Sequence, residues 1–454
     1  MAILNMKYKS QVLSALTIAG FLAGALTSPS PSNAAASEWP QFLGPDRNGV
    51  SSEKGLARKW PDNGLKELWS VDLGQGFGGA AIKDGKVFLL DRAQTSEEVV
   101  RCLDFKDGRE LWNFSYATRE VQLPFPGSRS TPTVDDGFVY TLGRVGNLNC
   151  VSRKTHKAVW SRDLMKEFGY ETTSRWGYSQ SPLVHGDHVI VCALDGSTGH
   201  LVAYDKRTGK KAWQTKDIHG AHYVSPTLFT IEGKEQVLMF GANKKNKRGL
   251  WTSVDPKSGR ILWQWGGYFN NIMIPAPTQV DANRLFISGG YGAGSVMIKV
   301  SRKGSGYTIR ELFRVEAEGS QIHPVLLHDG HLYANWNTNE NLKKGKMDQG
   351  GLACLDLNGA ILWRTGEDPN FNRGNLMLVD GMIIILDGEL GELALVDPTP
   401  SGYRELGRAT VFRDLKKRNN LIWGPMALSG GKLVVRSQKQ LKCLDVSGGR
   451  LGGD

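Results

Sequence analysis

Short runs of alternating apolar and polar residues, separated by turn-forming residues, fill most of this chain. Leu201–Tyr204 carries a β-branched and an aromatic residue in the alternation that suits a half-buried strand. Asp205–Gly209 follows with an Asp, a Thr and a Gly, which are typical turn residues. Trp213 then supplies a large apolar anchor on the returning strand. The pattern predicts a β-hairpin with a Trp on its second strand.

The same hairpin recurs along the chain at a regular interval. Large apolar anchors follow one another every 43 to 53 residues, at Trp69, Trp112, Trp160, Trp213, Trp263, Phe313, Trp363 and Leu406. A period of about 40 to 50 residues built only from strand and turn signals is the signature of four-stranded propeller blades. We therefore predict an all-β fold, an eight-bladed β-propeller of four-stranded antiparallel blades over residues 66–454.

The first and last units of the repeat complement each other. The eighth unit reaches Cys443–Asp445 and then stops before any Trp strand. Glu67–Val71 is a Trp strand with no unit before it. Pairing the two would remove an exposed strand edge, so we predict that this N-terminal strand closes the ring as the outer strand of the last blade.

The first 36 residues have the order of a targeting segment. Lys7 and Lys9 precede the uncharged apolar run Val12–Leu26, and small residues follow. The run is shorter than the about 20 residues of a membrane span, which favours a cleaved signal peptide over residues 1–36. An uncleaved anchor is the alternative. We expect an exported protein of the periplasm or cell envelope, without a transmembrane segment after signal removal.

The five cysteines favour neither a lipid anchor nor disulfides. None precedes Cys102, so the protein is not expected to be a lipoprotein. Cys102, Cys150, Cys354 and Cys443 occupy equivalent repeat positions and would lie in separate sheets, beyond the reach of a disulfide. We interpret them as small buried thiols. Residues 37–65, between signal and propeller, are predicted to form an extended arm over one face of the ring.

Composition and charge are those of an ordinary globular protein. Apolar residues make up 40% and charged residues 22% of the chain, and the formal net charge is +11. Two basic clusters, Lys244–Arg248 and Lys416–Arg418, are interpreted as solvated loops, and weak affinity for acidic envelope polymers is the alternative. Nucleic acid is not an expected partner of an exported protein.

Polar and aromatic residues gather at the predicted starts of the inner strands, where ligands approach the channel of a propeller. Converging aromatic rings with a few hydrogen-bonding groups are typical of a small-ligand pocket. The predicted cofactor- or ligand-binding set is Arg129, Trp176, Tyr178, His222, His323 and Arg373. A water-filled channel mouth is the alternative.

Motifs for catalysis or metal binding were not found in the sequence. His222 and His323 belong to different units and lack a third ligand, so a zinc site is not expected. Asp387–Glu392 lacks the spacing of a calcium loop. Gly289–Gly294 does not complete the glycine fingerprint of a dinucleotide site.

The hairpin motif D-x-x-T-G-K-x-x-W at Asp205–Trp213 resembles the tryptophan-docking repeat of the PQQ-like quinoprotein β-propellers. The segment Trp39–Gly49, W-P-Q-F-L-G-P-D-R-N-G, is similar to the opening of exported members from planctomycete-type bacteria. The superfamily includes BamB, a non-enzymatic propeller of the outer-membrane assembly machinery. Its alcohol dehydrogenases carry a vicinal Cys pair, a Trp floor, and carboxylate and Asn ligands for calcium. This chain has no vicinal Cys pair.

Two functions follow from this resemblance. The first is a non-enzymatic, BamB-like interaction scaffold of the cell envelope, which binds an envelope protein or a small molecule at the channel mouth. The alternative is a PQQ-dependent oxidoreductase of alcohols or sugars, with calcium and a non-standard site. The lack of a recognisable cofactor motif favours the scaffold.

Overall fold

The computed structural model describes residues 37–94, 96–120, 124–125, 127–220, 223–336, 350–413, 415 and 421–448. The predicted signal peptide, the candidate His222 and the basic cluster Lys416–Arg418 lie outside these residues. None of the helices that the described residues form has the length and apolar character needed to cross a membrane.

Eight sheets make up the fold, and the prediction of an all-β, eight-bladed propeller is confirmed. The first strands of the described residues are β1 (Val50–Ser51) and β2 (Glu67–Asp72). Blade 1 has β3 (Ala81–Lys83), β4 (Lys86–Gln94), β5 (Glu97–Asp104) and β6 (Glu110–Ala117). Blade 2 has β7 (Thr133–Val134), β8 (Phe138–Leu142), β9 (Asn147–Ser152) and β10 (Ala158–Asp163), and the short helix α1 (Leu164–Glu167) follows.

The next three blades repeat this arrangement. Blade 3 has β11 (Leu183–His185), β12 (His188–Leu194), β13 (Gly199–Asp205) and β14 (Lys211–Gln214). Blade 4 has β15 (Thr227–Ile231), β16 (Lys234–Asn243), β17 (Arg248–Val254) and β18 (Ile261–Trp265). Blade 5 has β19 (Thr278–Gln279), β20 (Arg284–Gly289), β21 (Gly294–Lys303) and β22 (Gly306–Val315).

The last three blades include the two strands from the N-terminal region. Blade 6 has β23 (Leu326–His328), β24 (His331–Trp336), β25 (Gly351–Asp356) and β26 (Ile361–Arg364). Blade 7 has β27 (Asn375–Val379), β28 (Met382–Leu386), β29 (Glu392–Val396) and β30 (Glu405–Thr410), and β1 joins it as a fifth strand, parallel to β27. Blade 8 has β31 (Ala427–Ser429), β32 (Lys432–Arg436) and β33 (Gln440–Asp445), and β2 pairs antiparallel with β33.

The position of a strand within its blade decides its burial. A middle strand is covered by a neighbouring blade on each face, so β28 is an unbroken apolar run that is buried at every residue. An outer strand reaches solvent, and in β10 only Trp160 is buried. The cores therefore lie between successive blades.

Each docked Trp connects one blade to the next. The Nε1 group of Trp213 in blade 3 donates to the carbonyl of Pro256 in blade 4 at 3.2 Å. Its ring lies against Gly259, where an added Cβ would stand 2.4 Å from a ring atom. Trp160 makes the same contacts with Lys206 and Gly209 of blade 3. The Gly of the repeat motif is therefore the surface on which the preceding Trp packs.

A buried ion pair lies between blade 8 and blade 1. Arg436 is 1% exposed and its Nη2 lies 3.2 Å from Oδ1 of Asp91. Nη1 of Arg436 also donates to the carbonyl of Gly78 at 3.0 Å, and Arg101 approaches the second oxygen of Asp91 at 3.3 Å. Both charges are thus paired and hydrogen-bonded, as burial requires.

All five cysteines are buried and carry free thiols. Burial raises the pKa of Cys102 and of Cys443 to about 12. These thiols are therefore protonated and unreactive at neutral pH.

The N-terminal arm crosses the ring before the first blade begins. Trp39 forms a β-bridge with Ile82 of blade 1, and β1 pairs with blade 7. Between them, Gln41–Asn48 forms successive turns inside the central channel, beside blade 3. Glu53 then accepts from the backbone N–H groups of Gly430 and Gly431 in blade 8. The arm thus contacts both ends of the blade sequence.

Candidate functional site

The mouth of the central channel holds a cavity of about 700 Å³, called here the channel-mouth cavity. All eight connections from the outer strand of one blade to the inner strand of the next contribute to its wall. Tyr291 and Glu389 enter from turns between the second and third strands of blades 5 and 7. Phe42 enters from the N-terminal arm.

The structure brings together four of the six predicted site residues. Those that line the channel-mouth cavity are Arg129, Trp176, His323 and Arg373. Tyr178 does not line it, because its ring is buried in the core and its hydroxyl donates to the carbonyl of Leu194 at 2.9 Å. His222 lies outside the described residues. A role of these side chains in binding stays a prediction.

The sequence-based set lacked most of the cavity wall, and among the missing residues are Phe42, Phe77, Phe125, Tyr291 and Glu389. Phe77 precedes the inner strand of blade 1, so the repeat could have located it. Tyr291 and Glu389 stand in turns whose sequences were searched only for phosphate and calcium motifs. Phe42 lies in the arm, where no periodicity pointed to the channel.

Two arginines and two aromatic rings form a continuous stack along the wall. The guanidinium carbon of Arg129 lies 4.9 Å from the ring centroid of Phe77. Phe77 stacks on Trp423 with centroids 5.6 Å apart. The guanidinium carbon of Arg373 lies 5.3 Å from the Trp423 ring. A guanidinium group thus lies against the aromatic pair at each of its two ends.

The two arginines differ in their partners. Nη2 of Arg373 lies 2.6 Å from Oε1 of Glu389, a short charge-assisted contact. Nη2 of Arg129 instead donates to the backbone carbonyls of Pro124 and Phe125, at 2.9 and 2.5 Å, and within the described ranges Arg129 has no carboxylate partner. Burial lowers the pKa of Arg129 to about 10, so it stays protonated at neutral pH. Its charge is therefore left for an anion to neutralise.

Glu389 is held in place by the turn that carries it. Oδ1 of the buried Asp387 accepts from the backbone N–H of Glu389 at 2.8 Å. Nδ2 of Asn372 donates to both oxygens of Asp387, at 3.2 and 3.1 Å. Asp387, in the segment that lacks calcium-loop spacing, thus fixes this turn.

His323 presents a neutral imidazole to the cavity. Oδ1 of Asn375 accepts from the backbone N–H of Met426, so the amide nitrogen faces His323 and donates to Nδ1 at 3.0 Å. The proton of the neutral ring is then on Nε2. Burial lowers the pKa of His323 to about 3, although the backbone of Trp423 offsets part of this effect.

Several buried polar atoms of the wall lack hydrogen-bond partners among the described residues. They are Nε of Arg129, Nε of Arg373, Nε1 of Trp423, Nε2 of His323 and Oε1 of Gln321. Gln321 uses its amide nitrogen to donate to Tyr291 at 2.9 Å, which leaves its oxygen open. Buried polar atoms without partners are costly. The open nitrogen atoms suit a ligand that accepts hydrogen bonds, whereas the Gln321 oxygen suits a donor.

The resemblance to quinoproteins implies PQQ together with calcium. The cavity has groups that suit the quinone, but it lacks a set of ligands for calcium among the described residues. Two arginines beside stacked rings suit a flat anionic ring system. Calcium requires about six to eight oxygen ligands. In the part of the chain that the structure describes, no group of three or more His, Cys, Asp or Glu could hold a metal ion, and Glu389 is engaged by Arg373. The residues suit the ring of the quinone but not its metal.

Comparison with known proteins relates the chain to both branches of this superfamily. A quinohemoprotein alcohol dehydrogenase of Pseudomonas putida is 26% identical over 142 residues, which are 31% of this chain and 20% of the enzyme. The chain therefore spans about a fifth of the length of this curated relative.

Solved structures from both branches share the fold. A europium-containing methanol dehydrogenase has a TM-score of 0.62 at 12% identity, covering 88% of this chain and 89% of that one. BamB from Moraxella catarrhalis has a TM-score of 0.55 at 14% identity, covering 84% of this chain and 99% of that one.

Family membership rests on a sequence match that covers more than half of the chain. The model of the family described as outer membrane protein assembly factor BamB matches residues 96–365, from blade 1 into blade 6. The tryptophan-docking contacts between blades are the structural counterpart of that match. This chain belongs to the BamB-type family of PQQ-like β-propellers.

Proposed function

We propose that this protein is an exported, non-enzymatic binding scaffold of the cell envelope that captures an anionic group at the channel mouth. The observation that carries the proposal is Arg129, a cation with no carboxylate partner in the described chain, stacked on Phe77. Arg129 is half-buried, and an anion in the cavity would neutralise its charge. Phe77 and Trp423 offer a flat apolar surface beside it.

The rest of the cavity supports binding without chemistry. His323 is neutral and its Nδ1 is occupied by Asn375, so it can orient a ligand by donating from Nε2. The one carboxylate of the described cavity wall, Glu389, is held by Arg373. Within that wall, this leaves no free general base beside a nucleophile. The family and the predicted export signal support a location in the envelope.

The experiment that tests this proposal uses the purified protein without its signal segment. Anilinonaphthalene sulfonate, an aromatic anion, is titrated while Trp fluorescence and thermal unfolding are recorded. We expect saturable binding and a raised melting temperature, because a ligand of the native state stabilises it. Neutral anilinonaphthalene is the control and should bind more weakly. Equal binding of the neutral compound would contradict a site built for anions.

The second candidate is a PQQ-dependent oxidoreductase of alcohols or sugars. The stack from Arg129 to Arg373 favours it, since a planar polyanion suits such a wall. When bound, the quinone would accept the electrons of the substrate, and this chain would bind and orient it. A saturable, calcium-dependent rise in melting temperature with PQQ would support this candidate. A calcium-independent response would support the scaffold, which needs no metal.

A further inference from the structure

The opening segment of the arm is folded into a compact turn by its glycines. Gly44 has a φ of +85°, and a Cβ there would stand 2.9 Å from the ring of Trp39. Gly49 has a φ of +75° and donates from its N–H to the carbonyl of Leu43 at 2.9 Å. Only glycine combines this backbone conformation with such close approach. The W-P-Q-F-L-G-P-D-R-N-G sequence therefore encodes a rigid insert.

Arg47 fastens this insert inside the channel. Its Nη1 and Nη2 donate to the carbonyls of Pro182 and Ser181 in blade 3, at 3.0 and 3.1 Å. Nη1 also donates to Oε1 of Gln41 at 3.1 Å, which closes the turn on itself. The side chain is 4% exposed, and its guanidinium carbon lies 5.7 Å from the ring of Phe42. The position of Phe42 is thus set by hydrogen bonds to the ring of blades.

The insert has a different cavity on each side. Phe42 faces the channel-mouth cavity. Gln41, Pro45 and Asn48 face a second cavity of about 510 Å³, called here the lower cavity, toward the other ends of the inner strands. Neither cavity is lined by the arm residues that line the other. The insert is therefore the partition between them, and Phe42 is its upper surface.

We propose that Phe42 is a specificity-determining residue, which sets the depth of the channel-mouth cavity and so limits the length of the apolar group that a bound anion can carry. This inference rests on the proposed function, since it assumes that the cavity binds an anion. Ile272 and Ile274 line the same cavity and continue its apolar lining. An anion held at Arg129 would direct an apolar tail toward this floor.

The first test is a series of phenyl-substituted alkanoic acids, from benzoate to 6-phenylhexanoate, titrated into wild type, Phe42→Ala and Phe42→Trp. Each buried methylene should improve affinity about fourfold until the tail meets the floor. Phe42→Ala should move the affinity maximum to a longer acid, because it opens the path to the lower cavity. Phe42→Trp should move the maximum to a shorter acid. An unchanged maximum in both variants would overturn the proposal.

A second test locates Phe42 without any ligand. Phe42→Cys should react with a small maleimide in the folded protein, because its side chain faces the open cavity. Leu43→Cys is the matched control and should stay unlabelled, since Leu43 is 3% exposed. The native thiols are buried and give little background. An unlabelled Phe42→Cys in a folded protein would overturn the proposal even if every acid bound.

The two tests separate the failure of this inference from that of the proposed function. If no acid binds wild type while Phe42→Cys is labelled, the proposed function is wrong and the position of the floor stands. If the acids bind and Phe42→Cys stays unlabelled, the site exists and Phe42 is not its floor.

Discussion

Asn375 donates from Nδ2 to Nδ1 of His323 across 3.0 Å, and its own Oδ1 is fixed by the N–H of Met426. This chain of two hydrogen bonds links the inner strand of blade 7 to the connections before blades 6 and 8. These bonds place the imidazole proton on Nε2, so His323 presents a hydrogen-bond donor to a ligand in the cavity.

The first prediction concerns that proton. Nitrogen NMR of the folded protein should show His323 neutral, with the proton on Nε2, throughout pH 5 to 8. Burial, which lowers the pKa of His323 to about 3, is the reason. A His323 signal that titrates near pH 6.5 would contradict the buried geometry.

The same residue makes stability depend on pH. The pKa of His323 is lower in the folded protein than the value of about 6.5 expected after unfolding, so only the unfolded chain takes up this proton between these values. The free energy of unfolding of wild type, relative to His323→Gln, should therefore fall by about 1.4 kcal/mol per pH unit from about pH 6.5 to about pH 3. Urea unfolding at several pH values measures it. A constant difference between the two proteins would refute the linkage.

Replacing Arg129 by Gln should weaken anilinonaphthalene sulfonate binding by about tenfold or more, because a charge-assisted hydrogen bond is lost. The neutral analogue should bind Arg129→Gln and wild type equally. Arg404→Gln is the matched control, since Arg404 pairs with Asp397 in an exposed hairpin of blade 7. A loss of affinity in Arg404→Gln of the same size would mean that net charge, not the cavity, attracts the anion.

The docking of Trp213 on Gly259 predicts a large penalty for Gly259→Ala. The positive φ of +68° costs about 1 to 2 kcal/mol for any residue with a Cβ. Displacement of the Trp213 ring should add about 2 kcal/mol. Gly233→Ala isolates the backbone effect, because Gly233 has a φ of +75° with nothing within 4 Å of an added Cβ. If urea unfolding shows that Gly259→Ala and Gly233→Ala lower the free energy of unfolding equally, the docked Trp213 ring contributes nothing to the penalty.

The pair between blades 8 and 1 predicts that Asp91→Ala lowers the free energy of unfolding by about 3 to 5 kcal/mol, because Arg436 is left as a buried cation. The double variant Asp91→Leu with Arg436→Met should be more stable than Asp91→Ala, since no unpaired charge is left. Asp397→Ala, which breaks an exposed pair, should cost under about 1 kcal/mol. If Asp91→Ala and Asp397→Ala lower the free energy of unfolding by similar amounts, the Asp91–Arg436 pair is not buried as described.

The blades could be predicted from sequence because their signals are local and periodic. Because each docked Trp packs on a Gly of the next blade, the Trp and the Gly recur in the sequence once per repeat, as with Trp213 and Gly259. Phe313 shows that the rule is steric, since it lies on Gly359 as a Trp would, with an added Cβ 2.4 Å from its ring. Phe in place of Trp at this position therefore weakens the sequence repeat, while the contact between the two blades is kept.

The site could be predicted only where it follows the same period. Arg129, His323 and Arg373 lie on connections that precede inner strands, so position in the repeat located them. Tyr178 stands on such a connection too, but its hydroxyl reaches Leu194 and its ring turns into the core. That orientation depends on the conformation of the loop, which the alternation of strand residues does not predict. Phe42 lies in the arm, before the first unit of the repeat, so no repeat position marks it.

The partition made by the arm insert has a kinetic consequence. With Phe42 as the floor that we propose, a ligand in the channel-mouth cavity would leave by the opening through which it entered. A partner seated over that opening, near the exposed ring of Phe125, would slow association and dissociation by the same factor if it bound the empty and the loaded protein equally well. The dissociation constant would stay unchanged while the residence time lengthened. A partner on this face would thus control how long a ligand is kept rather than how tightly it is held.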